Sequence, residues 1–273
     1  MASRDRRSFL GVGLGALIAG AISPPLSPPK LRQRTGPIMP GKFPRQNPEL
    51  VEEMVRVAHF DLGRVTQLVS GHPALAKAAV DWGFGDWEDA LGAASHMGRY
   101  DIAQLLIANG ARPTLFSAAM MGQLDVVKAF ISSAPGCQSI PGPHSITLLA
   151  HARAGGDRAH PVREYLEQIG GADPQPAGKL AISDAERNRY VGTYAFGDAP
   201  DEVLVVTNEK AVLSITRPGL PFARGLTAVG PDEFVPLGAE AVRVRFSFRD
   251  DGIVELRVFD PDLLVTASRK RLP

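Results

Sequence analysis

The sequence predicts an α + β multidomain chain: a helical solenoid followed by a small antiparallel β barrel or curved sheet. Three observations carry that reading. Between about residues 49 and 170, leucine, alanine and glycine recur in one frame with amphipathic helical stripes behind them. After Gly170 the apolar period changes from helical to two. Ahead of both lies a stretch dense in proline, which separates an apolar N-terminal run from the rest. With 273 residues and 44% hydrophobic content, the chain has material for one to two cores.

The N-terminal run comes first. Asp5-Arg6-Arg7-Ser8-Phe9-Leu10-Gly11 resembles the twin-arginine translocation motif. Leu10 to Ser23 follow without a charge, too short for an ordinary membrane span of about 20 apolar residues. Ala19-Gly20-Ala21 supplies the small-residue cleavage pattern. Residues 1–21 are therefore expected to be a signal peptide, with an uncleaved anchor as the alternative, and the product to be periplasmic or secreted. Gly11-Val12-Gly13-Leu14-Gly15-Ala16 matches a dinucleotide-binding pattern in letters only, because no strand precedes it.

Residues 22–48 read as a linker. Eight prolines with five interleaved basic residues and no acid cannot bury enough apolar surface to offset ordering. The whole chain has a formal charge of +1. Loss of Arg4, Arg6, Arg7 and Asp5 with the signal leaves 27 basic residues against 28 acidic. No global field therefore draws the protein to nucleic acid or anionic lipid.

Residues 49–170 are expected to be helix pairs. Leu91, Leu115 and Leu149 are each followed by Ala94, Ala118 and Ala152, and then by Gly98, Gly122 and Gly156. Leucine and alanine on one face permit close approach, and the glycine closes the first helix in a left-handed cap. Arg99 to Ile107 and Gln123 to Ile131 carry the stripe of a second helix. An earlier copy starts at Val51, so the frame steps by 38, 24 and 34 residues. This region resembles the ankyrin repeat family, whose unit is about 33 residues. It departs from that family in lacking an intact Thr-Pro-Leu-His tetrad, and the short step leaves no room for a β finger between Ala111 and Leu115. A different helix-pair solenoid is the alternative.

Asp81-Trp82-Gly83-Phe84-Gly85-Asp86-Trp87 falls in the one long inter-repeat loop and holds both tryptophans of the chain. Aromatic side chains in such loops anchor interfaces. Trp82, Phe84, Asp86, Trp87 and Tyr100 are accordingly the candidate partner-binding residues, with capping of the local core by the two indoles as the alternative. The six histidines, His59, His72, His96, His144, His151 and His160, all lie in this region. None has the helical spacing of a zinc motif, although His59 and His96 occupy near-equivalent repeat positions across stacked helices. Surface or helix-terminal roles are the simpler reading. Cys137 excludes an intramolecular disulfide and reads as a spectator.

A linker over residues 171–182 leads to the β domain at 183–273. Ser183-Asp184-Ala185-Glu186 has capping-box spacing. Val203 to Thr207 and Ala211 to Thr216 flank Asn208-Glu209-Lys210 as a hairpin. Val242, Val244, Phe246 and Phe248 alternate with Arg243, Arg245, Ser247 and Arg249, Asp250-Asp251-Gly252 turns the chain, and six to eight strands are expected. Tyr190-Val191-Gly192-Thr193-Tyr194 and the segment from Phe246 to Gly252 resemble the small β domain found behind beta-lactamase-like serine hydrolases. That resemblance implies a barrel-like accessory unit without catalytic residues. The hydrolase itself is missing: Ser27-Pro28-Pro29-Lys30 is the sole Ser-x-x-Lys and lies among prolines.

The sequence thus points to an exported, non-catalytic protein-binding chain of the envelope. No catalytic residue, metal or cofactor is assigned, and the partner is a protein rather than nucleic acid or membrane. The alternative is an accessory subunit or enzyme of a serine-hydrolase-related envelope system, with Tyr190, Tyr194, His144 and His151 as the polar groups to inspect.

Overall fold

The computed structural model describes residues 45–175, 178–220, 223–250, 254–260 and 263–270. The signal-peptide reading and most of the proline-rich linker fall outside them, as does most of the turn at 250–252. Arg45 to Pro273 form one compact unit.

Its first half is four consecutive helix pairs. They are α1 (Pro48–Val57) with α2 (Leu62–Gly71), α3 (Ala90–His96) with α4 (Tyr100–Ala108), α5 (Leu115–Met120) with α6 (Leu124–Ser133), and α7 (Leu148–Ala154) with α8 (His160–Ile169). The starts follow cap chemistry. Asn47, Asp61, Asp89, Thr114 and Thr147 each accept a backbone N–H of the helix they precede. Neighbouring first helices pack in sequence, α1 on α3, α3 on α5 and α5 on α7. The glycine frame explains how closely they approach. Gly98 has φ +68°, and a Cβ there would lie 2.2 Å from the Ala154 carbonyl oxygen. Gly122, at φ +76°, meets the Arg158 carbonyl oxygen at the same distance. Ala90, Ala93, Ala94, Ala118, Ala119 and Ala152 are buried beside them.

The expected loop at 81–87 is instead a short hairpin. β1 (Ala79–Asp81) pairs antiparallel with β2 (Trp87–Asp89), and Gly83, Phe84 and Gly85 all take positive φ in its turn. Strands of three residues leave little periodic trace, which is why the sequence reads as loop. Between Ala111 and Leu115 there is no strand, as the short repeat step requires.

The second half opens with α9 (Asp184–Tyr190), whose Ser183–Glu186 capping box forms on both sides. Eight strands follow: β3 (Gly192–Ala195), β4 (Val203–Glu209), β5 (Val212–Thr216), β6 (Arg224–Gly230), β7 (Glu233–Pro236), β8 (Arg243–Phe248), β9 (Val254–Asp260) and β10 (Leu263–Arg269). Each pairs antiparallel with the next, and β10 returns to β3, closing an up-and-down barrel. Val242, Val244 and Phe246 point into the core with Tyr190, Tyr194 and Phe234, while Arg245, Ser247 and Arg249 face solvent. The first hairpin turns two residues later than expected, at Lys210-Ala211, whose φ values of +51° and +63° match the twist-compatible two-residue turn.

The stretch read as a linker is docked at both ends. The Leu149 amide donates to Ala172 O, Ala172 is buried among α5–α8, and the Leu180 amide donates to Ala228 O of β6.

Candidate metal centre

Four side chains from four separate segments converge where the helix pairs meet the barrel. Each is placed by local chemistry. His59 sits just past α1, where its Nδ1 lies 3.0 Å from both Val55 O and Arg56 O. Carbonyls only accept, so Nδ1 carries a hydrogen and Nε2 is turned inward, donating to Glu88 when the ring is protonated and bare when it is neutral. His96 is the last residue of α3, two residues before the left-handed Gly98. Glu88 is the middle residue of β2 and is 1% exposed. His144 lies in a tight turn before α7 with φ +57°, followed by Ser145 at φ +58°. Two consecutive non-glycine residues in the left-handed region cost about 1–3 kcal/mol each. Asp86 holds the first of them, accepting the His144 amide at 2.9 Å and its Nδ1 at 2.7 Å.

Glu88 is the focus. Its Oε1 lies 2.9 Å from His96 Nε2 and 3.5 Å from His59 Nε2, and its Oε2 lies 3.4 Å from His144 Nε2. Trp82 Nε1 donates to Oε2 at 2.8 Å. One donor atom from each of His59, Glu88, His96 and His144 fits within a 4.8 Å set.

The electrostatics follow from burial opposed by these partners. Burial raises the Glu88 pKa, but the bonds from His144, His59 and His96 outweigh it and hold the carboxyl well below the usual carboxylate range. Burial lowers His144, yet Asp86 and Glu88 together push it up to about 9. The same contest lowers Asp86 and raises His59. Without an ion, His144 therefore holds a proton between two carboxylates. His151 lies behind the cluster, 6.2 Å from His96 between ring centroids. Burial lowers it to about 4, its Nδ1 donates to Thr147 O, and its buried Nε2 has no hydrogen-bond partner.

The barrel contributes Arg224 of β6. Its guanidinium donates to Asp86 Oδ2 at 2.8 Å, Leu237 O at 2.9 Å and Trp82 O at 2.7 Å. A cavity of about 440 Å³ opens beside the cluster, lined by His59, Glu88, His144, Arg56, Phe60 and Trp82 and by Arg224 and Leu237 of the barrel.

The candidate partner-binding residues divide. Trp82 and Asp86 are buried in this centre, Trp82 with an edge on the cavity. Phe84 is 44% and Trp87 63% exposed. Tyr100 is half-buried, with the Arg158 guanidinium 3.6 Å over its ring and Gln104 Nε2 donating to its hydroxyl. Of the polar groups singled out for inspection, only His144 and His151 reach the site. Tyr190 donates to Asp232, and Tyr194 to Tyr190 O. The near-equivalent positions of His59 and His96 do bring the rings together, at 4.9 Å. Glu88 and the role of His144 had no spacing to reveal them; the signal available was that all six histidines lie within residues 59–160.

The donor set suits a divalent transition ion. Ligands about 2.0–2.2 Å from a tetrahedral zinc stand roughly 3.3–3.6 Å apart. The Glu88 oxygens lie 2.9, 3.4 and 3.5 Å from the three Nε2 atoms, and the four-donor set spans up to 4.8 Å, so it must tighten to close round an ion. Imidazoles that ligate such ions usually have their far nitrogen tied to a carbonyl or carboxylate, as His59 and His144 do here. No family model, curated protein or solved structure matches the chain.

Proposed function

We propose that this protein is a metal-binding protein in which His59, Glu88, His96 and His144 hold one divalent first-row ion. Zinc is the ion that three imidazoles and a carboxylate suit best. The observation that carries the reading is the convergence of three Nε2 atoms on one buried carboxylate, with the outer nitrogens of His59 and His144 already tied. Binding would displace the proton held by His144. Three of the four donors line the cavity, so expansion of the ion from four to five ligands would be directed toward it. The test is metal analysis and calorimetry on purified chain after chelation and reloading. One equivalent of zinc is expected, with His96→Gln and Glu88→Gln weakening it roughly a hundredfold or more. Stoichiometry below one-tenth, or affinity unchanged in both variants, would overturn the assignment.

A second reading retains an exported protein-binding role in the envelope. The exposure of Trp87 and Phe84 favours it, and four helix pairs, three of them turning at a left-handed glycine (Gly98, Gly122 and Gly156), support a degenerate ankyrin-like repeat. Export through the twin-arginine route is tested by Arg6→Lys with Arg7→Lys, which should hold the chain in the cytoplasm. Unchanged envelope delivery in cells lacking that machinery would sink it.

A further inference from the structure

We infer that the cavity beside the metal centre binds a small organic carboxylate, with one carboxylate oxygen added as a fifth ligand on the cavity side of the ion and the Arg56 guanidinium against the same anionic head. This rests on the metal reading. The first argument is charge. Glu88 and Arg56 line the cavity, and Arg224, which also lines it, is paired with Asp86 behind it, so with neutral imidazoles the charges around the cavity balance. A divalent ion adds two uncompensated positive charges beside a partly buried cavity, where water screens them poorly. An anion answers that excess.

The second argument is which cation is available. Arg224 is buried and its guanidinium is committed to Asp86 and to the carbonyls of Leu237 and Trp82. Arg56 lines the same cavity but is exposed. Glu53, the carboxylate on which its charge acts, is already held by Arg64 at 2.7 and 3.0 Å. Arg56 is therefore the side chain placed to meet an incoming anion.

The third argument is shape. A volume of about 440 Å³ admits a small ligand. Phe60, Trp82 and Leu237 give it apolar walls. One available guanidinium and those walls suit a monoanion with an apolar body better than inorganic phosphate, which needs several donors.

The experiment uses the full chain loaded with Co²⁺, whose visible spectrum reports a change of coordination, titrated with benzoate, benzamide and inorganic phosphate. Metal content is measured separately on the same samples. Benzoate should change the spectrum saturably and benzamide should not. Arg56→Gln should weaken benzoate about tenfold or more, with Co²⁺ affinity unchanged. Retained cobalt with no response to benzoate overturns the inference and leaves the metal reading standing. So does phosphate binding as tightly as benzoate, or benzoate affinity unchanged in Arg56→Gln. A chain that retains no cobalt sinks the metal reading and this inference with it.

Discussion

Asp86 in the β1–β2 turn and Arg224 on barrel strand β6 form an ion pair of 2.8 Å in which both side chains are buried. It links the helix pairs to the barrel, and the same Asp86 oxygen accepts from His144. Desolvating two charges is repaid only while both remain. Arg224→Met should therefore cost about 3–5 kcal/mol by leaving Asp86 with a buried negative charge short of a partner. Urea denaturation checks this; a loss below 1 kcal/mol would mean that water reaches Asp86.

The two tryptophans should separate cleanly. Trp82→Ala removes a buried indole and the donor to Glu88, and should cost about 3–5 kcal/mol. Trp87→Ala, in an exposed position, should stay within about 0.5 kcal/mol of the parent. Thermal melts of the two variants measure the difference. Equal losses would show that Trp87 packs against the body of the protein.

Gly98→Ala tests the close approach of α3 to α7. The left-handed backbone alone costs about 1–3 kcal/mol, and the new methyl must also displace the Ala154 carbonyl. Gly136→Ala is the control: its φ is +93°, but nothing lies within 4 Å of the added carbon. The first variant should lose clearly more stability than the second in denaturant titrations. Similar losses would leave only the conformational effect and refute the steric one.

What the sequence reveals is what is periodic. The alternation of Val242, Val244 and Phe246 with arginine and serine predicts a barrel face, and the Leu-Ala-Gly frame predicts where helix pairs turn. Both are local, repeated patterns. The β1–β2 hairpin has no room to repeat anything in three-residue strands, and Trp82 serves burial and hydrogen bonding at once. The centre is harder still to read. His59, Glu88, His96 and His144 come from a helix end, a strand, another helix end and a turn, so no spacing rule relates them. The stacking of α1 on α3 brings His59 to His96, and Asp86 holds the turn that presents His144.

The scattering of these four ligands has a kinetic consequence. The shortest fragment holding all of them runs from residue 59 to residue 144, so neither a peptide nor a half-formed helix stack offers a complete chelate. An ion can be captured whole only after two helix pairs, the hairpin and the turn at His144 have docked. Where contacts this late are absent from the folding transition state, stabilising them slows unfolding while leaving the folding rate nearly unchanged. Metal should therefore lengthen the lifetime of the folded chain in proportion to its occupancy, giving a protein that persists where the ion is plentiful and is cleared where it is scarce.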